Sequence, residues 1–252
     1  MSEKEILANE KAPCISCGGE IAVSARFCNH CGSRQSVVAN SDTGNNWLLL
    51  KQAALFYGID VAACCLASFA GVFKTLGWAL FFDIAMAISA VLFFTWNWNE
   101  NKQLLKWKSF SLLKLAGYAA IAICGSVIVH YSVGWLNLVI FNKDDQYFET
   151  LRGNLPAEMF LIFFTAVMPA LFEELGYRGY LLQNLLKIAD KDQAIYITSF
   201  LFAIIHMSFI SLFWLIPFAL FLGYTRVKEN TIWYGIFFHF FFNLTACLFQ
   251  LF

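Results

Sequence analysis

The stretch EELGYR, residues 173–178, places three ionisable side chains inside a long apolar run. A charged side chain at the centre of a bilayer helix costs roughly 2.5–3.5 kcal/mol, so such residues are interpreted first as functional. Glu174 and Arg178 are four residues apart with the glutamate first, the favourable order for an ion pair on one helix face. Glu173 is rotated about 100° from that face and is free to point elsewhere.

Two further motifs, FAIIH and HFFFN, place polar residues in the apolar segments that follow. In each motif the first and last residues are four apart, so they share one face of a helix. Measured along ideal helices from one predicted membrane face, Glu173, His206 and His239 lie at depths of roughly 21, 20 and 16 Å. These residues and Asn243 can therefore meet at one level if their helices are neighbours.

Together these groups could hydrolyse an amide bond with an activated water. A buried carboxylate such as Glu173 can act as a general base, and histidines beside it can position the water and pass protons. Asn243 does not titrate near neutral pH, so its natural role is to donate a hydrogen bond to a developing oxyanion. The alternative is that these side chains are polar links within a helix bundle. The presence of the whole set favours catalysis.

Other residues in the apolar segments carry a weaker signal. Asp60 and Asp83 are each the lone charged residue of their predicted span, and His130 shares its span with Lys114; we interpret Asp60, Asp83 and His130 as structural or cavity-lining. Phe202 is interpreted as packing around the site. Cysteine in an apolar segment behaves as a small hydrophobic residue. Four cysteines are therefore interpreted as packing residues: Cys64, Cys65, Cys124 and Cys247.

Four further cysteines form two CxxC pairs near the N-terminus, Cys14 with Cys17 and Cys28 with Cys31. Glycine follows the second cysteine of each pair, which permits the tight turn of a metal knuckle. Four thiolates from two such turns suit tetrahedral Zn²⁺, and the metal would hold together a module that has almost no core. A redox dithiol is the main alternative. His30, inside the second pair, is interpreted as a bystander.

The elements that must position these residues follow from the composition. Of 252 residues, 60% are hydrophobic and 13% are charged, with a mean hydropathy of +0.63. These values are typical of an integral membrane protein. The formal net charge of +0 argues against a nucleic-acid partner. The polar N-terminal stretch does not have the pattern of a secretory signal peptide.

We predict an all-α, polytopic transmembrane bundle of about seven spans, with six to eight possible, because a spanning helix needs about 20 residues. The predicted spans are 53–73, 76–96, 111–140, 155–186, 193–212, 213–225 and 231–252. The domains are a zinc ribbon at 12–34, a flexible linker at 35–46 and an integral membrane domain at 47–252.

Lysine and arginine predict the orientation, because they favour cytosolic loops. If the N-terminus and zinc ribbon are cytosolic, the loops around Lys106, Lys191 and Lys228 also fall on the cytosolic side. The loop around Asp144 then lies outside.

In this order, EExxxR, FxxxH and HxxxN resemble the motifs of the CAAX prenyl protease and bacteriocin-processing family, abbreviated CPBP or ABI. The resemblance covers about residues 155–252, and Tyr177 stands where phenylalanine is common. It implies an intramembrane endopeptidase with four catalytic residues: Glu173, His206, His239 and Asn243. By this resemblance Glu173 is the base for the attacking water, and His206 is its partner. His239 and Asn243 are on the oxyanion side.

The resemblance gives Glu174 and Arg178 a supporting role. The cysteine module resembles short zinc ribbons attached to bacterial membrane proteins, and it offers a surface for a protein partner. A metal-dependent variant, with Glu173, His206 and His239 as zinc ligands, stays open. The metal-free version is favoured because Asn243 has a clear use there and is a poor zinc ligand. The chain lacks HExxH, GxGD and GxSxG, which argues against zincin, aspartyl and serine alternatives.

Two other classes of function stay open. One is a non-catalytic membrane scaffold or immunity protein of the same fold. The other is a proton-coupled transporter that uses Asp60, Asp83 and Glu173, although the chain shows no two related halves. A CAAX substrate requires prenylation, which most bacteria lack. In a bacterial plasma membrane we therefore expect the substrate to be a peptide leader or a membrane-protein tail.

Overall fold

The computed structural model describes residues 11–22, 25, 27–33, 35, 43–107, 110–141 and 154–251. Within these residues the chain forms seven helices of 14 residues or more and one two-stranded sheet. The helices are α1 (Thr43–Phe69), α2 (Leu76–Trp96), α3 (Leu112–Phe141), α4 (Leu155–Leu185), α5 (Lys191–Ile204), α6 (Leu212–Glu229) and α7 (Trp233–Leu251). Shorter helical turns are Gly71–Phe73, Trp98–Asn101 and Lys102–Leu105.

Five of these helices, α1 to α4 and α7, are long and apolar enough to cross a membrane. The other two are shorter, with 14 residues in α5 and 18 in α6, and they pack against each other. At a rise of 1.5 Å per residue, α5 covers roughly 21 Å, less than the roughly 30 Å of a hydrocarbon core. The predicted all-α membrane bundle is confirmed, and its predicted spans correspond to five full-length helices and two shorter ones.

The outer surface of the bundle is apolar. Large side chains such as Phe69, Leu92, Leu113 and Leu138 are exposed on its helices. Soluble proteins rarely expose contiguous apolar patches larger than a few hundred Å². This surface fits the hydrocarbon of a bilayer, while Glu174, Arg178 and His239 lie buried inside the bundle.

Helix α4 departs from α-helical geometry at two places. The segments Phe163–Val167 and Glu174–Leu181 have the wider i→i+5 hydrogen bonding of a π-helix. Pro169 follows the first segment and has no N–H, so the carbonyl of Thr165 cannot receive the usual bond from position 169. Such segments are rare and frequently occur at functional sites. The second segment carries most of the EELGYR motif.

Two glycines of the second segment let α4 approach α1 and α2 closely. A Cβ atom on Gly176 would lie 2.7 Å from the Phe56 ring, and one on Gly179 would lie 2.7 Å from the Phe94 ring. Small residues allow this kind of close helix packing in membranes. The contacts fix α4 against the first two helices, and the side chains of the motif lie inside the bundle.

The N-terminal module contains a short antiparallel hairpin of β1 (Lys11–Pro13) and β2 (Glu20–Ala22). Two equivalent turns follow the cysteine pairs. The N–H of Gly18 donates to the Cys14 carbonyl at 3.0 Å, and the N–H of Gly32 donates to the Cys28 carbonyl at 2.7 Å. Both glycines have positive φ angles, +69° and +74°, which other residues adopt only with strain.

The predicted linker, residues 35–46, falls largely outside the described residues, and α1 begins at Thr43. The domain boundaries therefore stay predictions.

Candidate active site and metal site

The four N-terminal cysteines lie close enough to share one metal ion. Their ligand atoms all lie within 4.8 Å of one another. The Sγ atoms of Cys14 and Cys31 are 3.7 Å apart, and those of Cys17 and Cys28 are 3.6 Å apart. This four-thiol set fits a tetrahedral metal such as zinc. Within the described part of the chain it is the one group of three or more His, Cys, Asp or Glu residues that meets this distance.

Hydrogen bonds around Cys14 favour its charged form, whereas burial raises the pKa of Cys17 and of Cys28. Burial opposes the thiolate form of Cys14, but the Ser33 hydroxyl and the backbone N–H groups of Cys17 and Ser16 outweigh it and lower the pKa of Cys14 to about 5. The Gln35 amide also donates to the Cys14 sulfur, at 3.2 Å. A thiolate is the form that binds metal.

The ring of His30 does not join the metal site. Its Nε2 is 3.0 Å from the backbone carbonyl of Glu20, and its backbone N–H donates to the sulfur of Cys28. The metal site therefore needs only the four cysteines.

Inside the bundle, Glu174 is the centre of a buried charged group. Arg178 Nη1 donates to Glu174 Oε1 at 3.0 Å, so the ion pair predicted from the spacing is present. His239 Nδ1 lies 3.1 Å from the same oxygen and can donate to it. All three residues are at most 3% exposed. The pairing neutralises a carboxylate that would otherwise be costly to bury.

Phe202 and Arg178 form a second contact of this group. The guanidinium carbon of Arg178 lies 4.3 Å from the centre of the Phe202 ring, on the scale of a cation–π interaction. The Phe202 ring also packs against the rings of His206 and His239, at centroid distances of 5.0 and 6.2 Å. Phe202 was interpreted from the sequence as packing only. The structure shows that it also supports the arginine and lies between the two histidines.

Glu173 faces a different environment from its neighbour. Its side chain is 28% exposed, and its Oε2 atom has no hydrogen-bond partner among the described residues. His239 Nε2 lies 3.8 Å from that oxygen, so His239 lies between the two glutamates. Glu173 lines a cavity of about 220 Å³. Since a water occupies about 30 Å³ in the liquid, this space suits a few waters or one side chain.

His206 lines the same cavity, although not from within a helix. Helix α5 ends at Ile204, and His206 lies in the turn that follows, where Met207 has a positive φ of 50°. His206 Nδ1 is 2.9 Å from the carbonyl of Phe202 and can donate to it. This bond leaves Nε2 of a neutral ring as an acceptor.

Asn243 is bound to the backbone of α4. Its Nδ2 donates to the Thr165 carbonyl at 3.1 Å, the same carbonyl that Pro169 leaves without its usual partner. Asn243 is not among the residues that line the cavity, while Glu173 and His206 are. The amide nitrogen has a second hydrogen, which stays available for another acceptor.

Two acidic residues that were interpreted from the sequence as structural or cavity-lining do line the cavity. They are Asp60 on α1 and Asp83 on α2. The hydroxyl of Tyr177, inside the EELGYR motif, donates to Asp60 Oδ2 at 3.1 Å. Asp60 is 4% exposed, and its Oδ1 atom has no partner among the described residues. The cavity is therefore formed by the first two helices together with α4 and the turn after α5.

Comparison with known proteins agrees with the motifs. Residues 155–245 match the family model described as type II CAAX prenyl endopeptidase Rce1-like. No curated protein and no solved structure matches the chain. The matched range contains all three motifs, and the resemblance predicted from them is confirmed. The similarity to the type II CAAX prenyl endopeptidase Rce1-like family therefore extends over residues 155–245, which are less than half of the 252-residue chain.

Proposed function

We propose that this chain is an intramembrane endopeptidase in which Glu173 activates the attacking water. The observation that carries the proposal is the difference between the two adjacent glutamates. Glu174 is held through Oε1 by Arg178 and His239 and is not among the residues that line the cavity, whereas Glu173 lines it. Among the described residues neither glutamate has a hydrogen-bond partner for Oε2, so only the Glu173 carboxylate is open to the cavity. A free carboxylate at a cavity is the arrangement that a general base requires.

The reaction then proceeds in two steps. Glu173 takes a proton from water while the water oxygen bonds to the carbonyl carbon of the peptide, which gives a tetrahedral oxyanion. The Glu173 carboxyl then gives that proton to the amide nitrogen, and the C–N bond breaks. His206, whose Nδ1 is held by the Phe202 carbonyl, accepts a hydrogen bond from the water through Nε2 and orients it.

His239 and Asn243 are the proposed donors to the oxyanion. His239 Nδ1 is bound to Glu174, and its Nε2 lies 3.8 Å from Glu173 Oε2, so donation to the oxyanion through Nε2 requires a protonated ring. Asn243 uses one amide hydrogen on Thr165 and has the other for the oxyanion. Glu174 and Arg178 position His239. The metal-free form of this mechanism rests on Asn243, because an amide is a poor zinc ligand.

The test uses Glu173→Gln, which keeps the size of the side chain and removes the base. Purified variant and wild type, reconstituted in liposomes, are mixed with membrane extract, and captured proteins and cleaved termini are identified by mass spectrometry. We expect the variant to trap uncleaved peptide leaders or membrane-protein tails that the wild type cleaves. Asp192→Asn, which removes an exposed carboxylate, is the control and should cleave normally. Cleavage by Glu173→Gln at the wild-type rate would favour the non-catalytic scaffold.

One observation favours the transporter alternative. Asp60, Asp83 and Glu173 line a single cavity, as a proton-coupled carrier would require. Proton uptake into liposomes, with and without Asp83→Asn, separates the two functions. An endopeptidase should show no proton flux that depends on Asp83.

We also propose that the cysteine cluster binds one structural Zn²⁺ and that the ribbon lies in the cytosol of a bacterial cell. The close approach of the four thiols supports the metal. Contacts between the ribbon and residues at the ends of α5 and α6 support one shared membrane side, because Lys191 and Lys228 were predicted to be cytosolic. Cysteine labelling at position 144 from outside intact cells tests the orientation. We expect labelling in intact cells. Labelling only after lysis would mean that the loop around Asp144 is cytosolic and that the proposed orientation is wrong.

A further inference from the structure

The second cysteine turn of the ribbon rests on the membrane domain. The backbone carbonyl of Asn29 accepts a hydrogen bond from Arg226 Nη1 at 3.3 Å. Gly32 lies so close to Lys191 that a Cβ atom on this glycine would overlap the aliphatic carbons of the lysine. Arg226 is in the last turn of α6, and Lys191 is the first residue of α5. One turn of the ribbon therefore touches two cationic residues.

Arg226 is a buried cation without an acidic partner. It is 0% exposed, and of the described residues none places a carboxylate within ion-pair distance of it. Its Nη2 donates to the side chain of Gln183, and no described residue is a hydrogen-bond partner of its Nε. A buried charge is costly unless it is paired. On the ribbon side Arg226 contacts the second cysteine turn, through the carbonyl of Asn29, the residue after Cys28.

Metal binding makes the cysteine cluster anionic as a unit. Zinc is bound by thiolates, so four cysteines and one divalent ion carry two net negative charges. Arg226 and Lys191 supply the matching positive charges from the membrane domain. Without metal, the module loses the ion that holds its two turns together.

We propose that Arg226 and Lys191 form a cationic socket that binds the ribbon in its metal-loaded form, so that metal occupancy controls whether the ribbon is docked on the membrane domain. The socket lies at the same end of the bundle as Gln183 of α4, ten residues beyond Glu173 and roughly 15 Å from it along the helix. The proposal rests on the proposed metal binding by the four cysteines and not on the proposed protease activity.

Hydrogen exchange of the full-length protein in lipid nanodiscs tests the docking directly. Zinc-loaded protein is compared with protein treated with a chelator, and the readout is amide exchange in residues 183–194. Docking shields these amides, so removal of the metal should raise their exchange by about tenfold or more. Unchanged exchange after complete removal of the metal would overturn the proposal.

Charge variants of zinc-loaded protein separate the socket from the fold of the ribbon. Arg226→Gln should keep about one zinc per chain, because it changes no cysteine, yet raise exchange as chelation does. Lys191→Gln, at a partly exposed position, should act in the same direction, and Arg226→Lys should restore protection. Lys228→Gln removes an exposed charge from the same helix end and should have no effect. Full protection in both Gln variants, or equal loss in Lys228→Gln, would refute the socket.

Discussion

The chain contains two polar centres that are assembled in different ways. The cysteine cluster joins Cys14 to Cys31 across 17 residues, and two equivalent turns set its geometry. The centre inside the bundle joins Glu174 to His239 across 65 residues and Tyr177 to Asp60 across 117. The first centre depends on local backbone conformation and the second on helix packing. A change in one centre should therefore leave the other folded.

The largest expected effect is on the local centre. Cys28→Ser should reduce bound metal from near one ion per chain to near zero, because roughly 10–16 kcal/mol of metal binding holds such modules folded. Elemental analysis measures the metal, and circular dichroism should show that the helices remain. Cys65→Ser, in α1, is the control and should keep the metal. A Cys28→Ser protein that retains its metal would mean that the cluster is not the binding site.

The second effect compares the two glutamates of the packed centre. Glu174→Gln leaves Arg178 buried without an anion and should destabilise the protein by roughly 3–5 kcal/mol. Glu173→Gln should cost much less, because this side chain has no ion pair with arginine and reaches the cavity. Thermal unfolding in detergent measures the stability. Per folded molecule, Glu174→Gln should cleave faster than Glu173→Gln, although it is the less stable of the two variants. Equal destabilisation would remove the distinction between the two residues.

A substitution of Asn243 tests whether this residue of α7 takes part in the proposed reaction. Asn243→Ala should lower the cleavage rate about 10²–10³-fold, the usual loss for an oxyanion donor. Thr245→Ala is the control, because it removes a side-chain bond to the Phe241 carbonyl on the same helix. If Asn243→Ala lowers only the unfolding temperature, like its control, the residue serves the Thr165 carbonyl and not the reaction.

The smallest effect separates the two cysteine turns. Gly18 and Gly32 both have positive φ, so alanine at either position costs about 1–2 kcal/mol. Each variant should lose metal affinity by roughly 5- to 30-fold in chelator competition, as a cost of this size implies. Gly18 has no neighbour within 4 Å, whereas a Cβ on Gly32 meets Lys191. Only Gly32→Ala should also increase hydrogen exchange at residues 183–194, and an equal increase in Gly18→Ala would contradict this.

Local spacing explains what the sequence could predict. The two CxxC turns, the positions of the long helices and the Glu174–Arg178 pair all depend on residues at most a few positions apart. These relations follow from the geometry of a turn or a helix, which a sequence shows directly.

Contacts between distant helices explain what it could not predict. His239 of α7 lies between the side chains of the two glutamates. Its Nδ1 is 3.1 Å from Glu174 Oε1, and its Nε2 is 3.8 Å from Glu173 Oε2. Asn243 binds a carbonyl that Pro169 leaves free, a consequence of the irregular start of α4. The sequence suggested a structural or cavity-lining role for Asp60 and Asp83. Their own segments carry no signal that α1 and α2 pack against α4. Whether these residues catalyse stays a prediction.

The cavity has consequences for how such a protein can evolve. Its walls include Phe56, Asp60, Cys64, Asp83 and Met86 from α1 and α2, which lie outside the matched range 155–245. Substitutions there change the shape and charge of the space beside Glu173 and leave all three motifs intact. Under the proposed function, the substrate preference can therefore change through substitutions in the first two helices alone. A transfer of residues 155–245 into another protein would carry the three motifs but leave about half of the cavity wall behind.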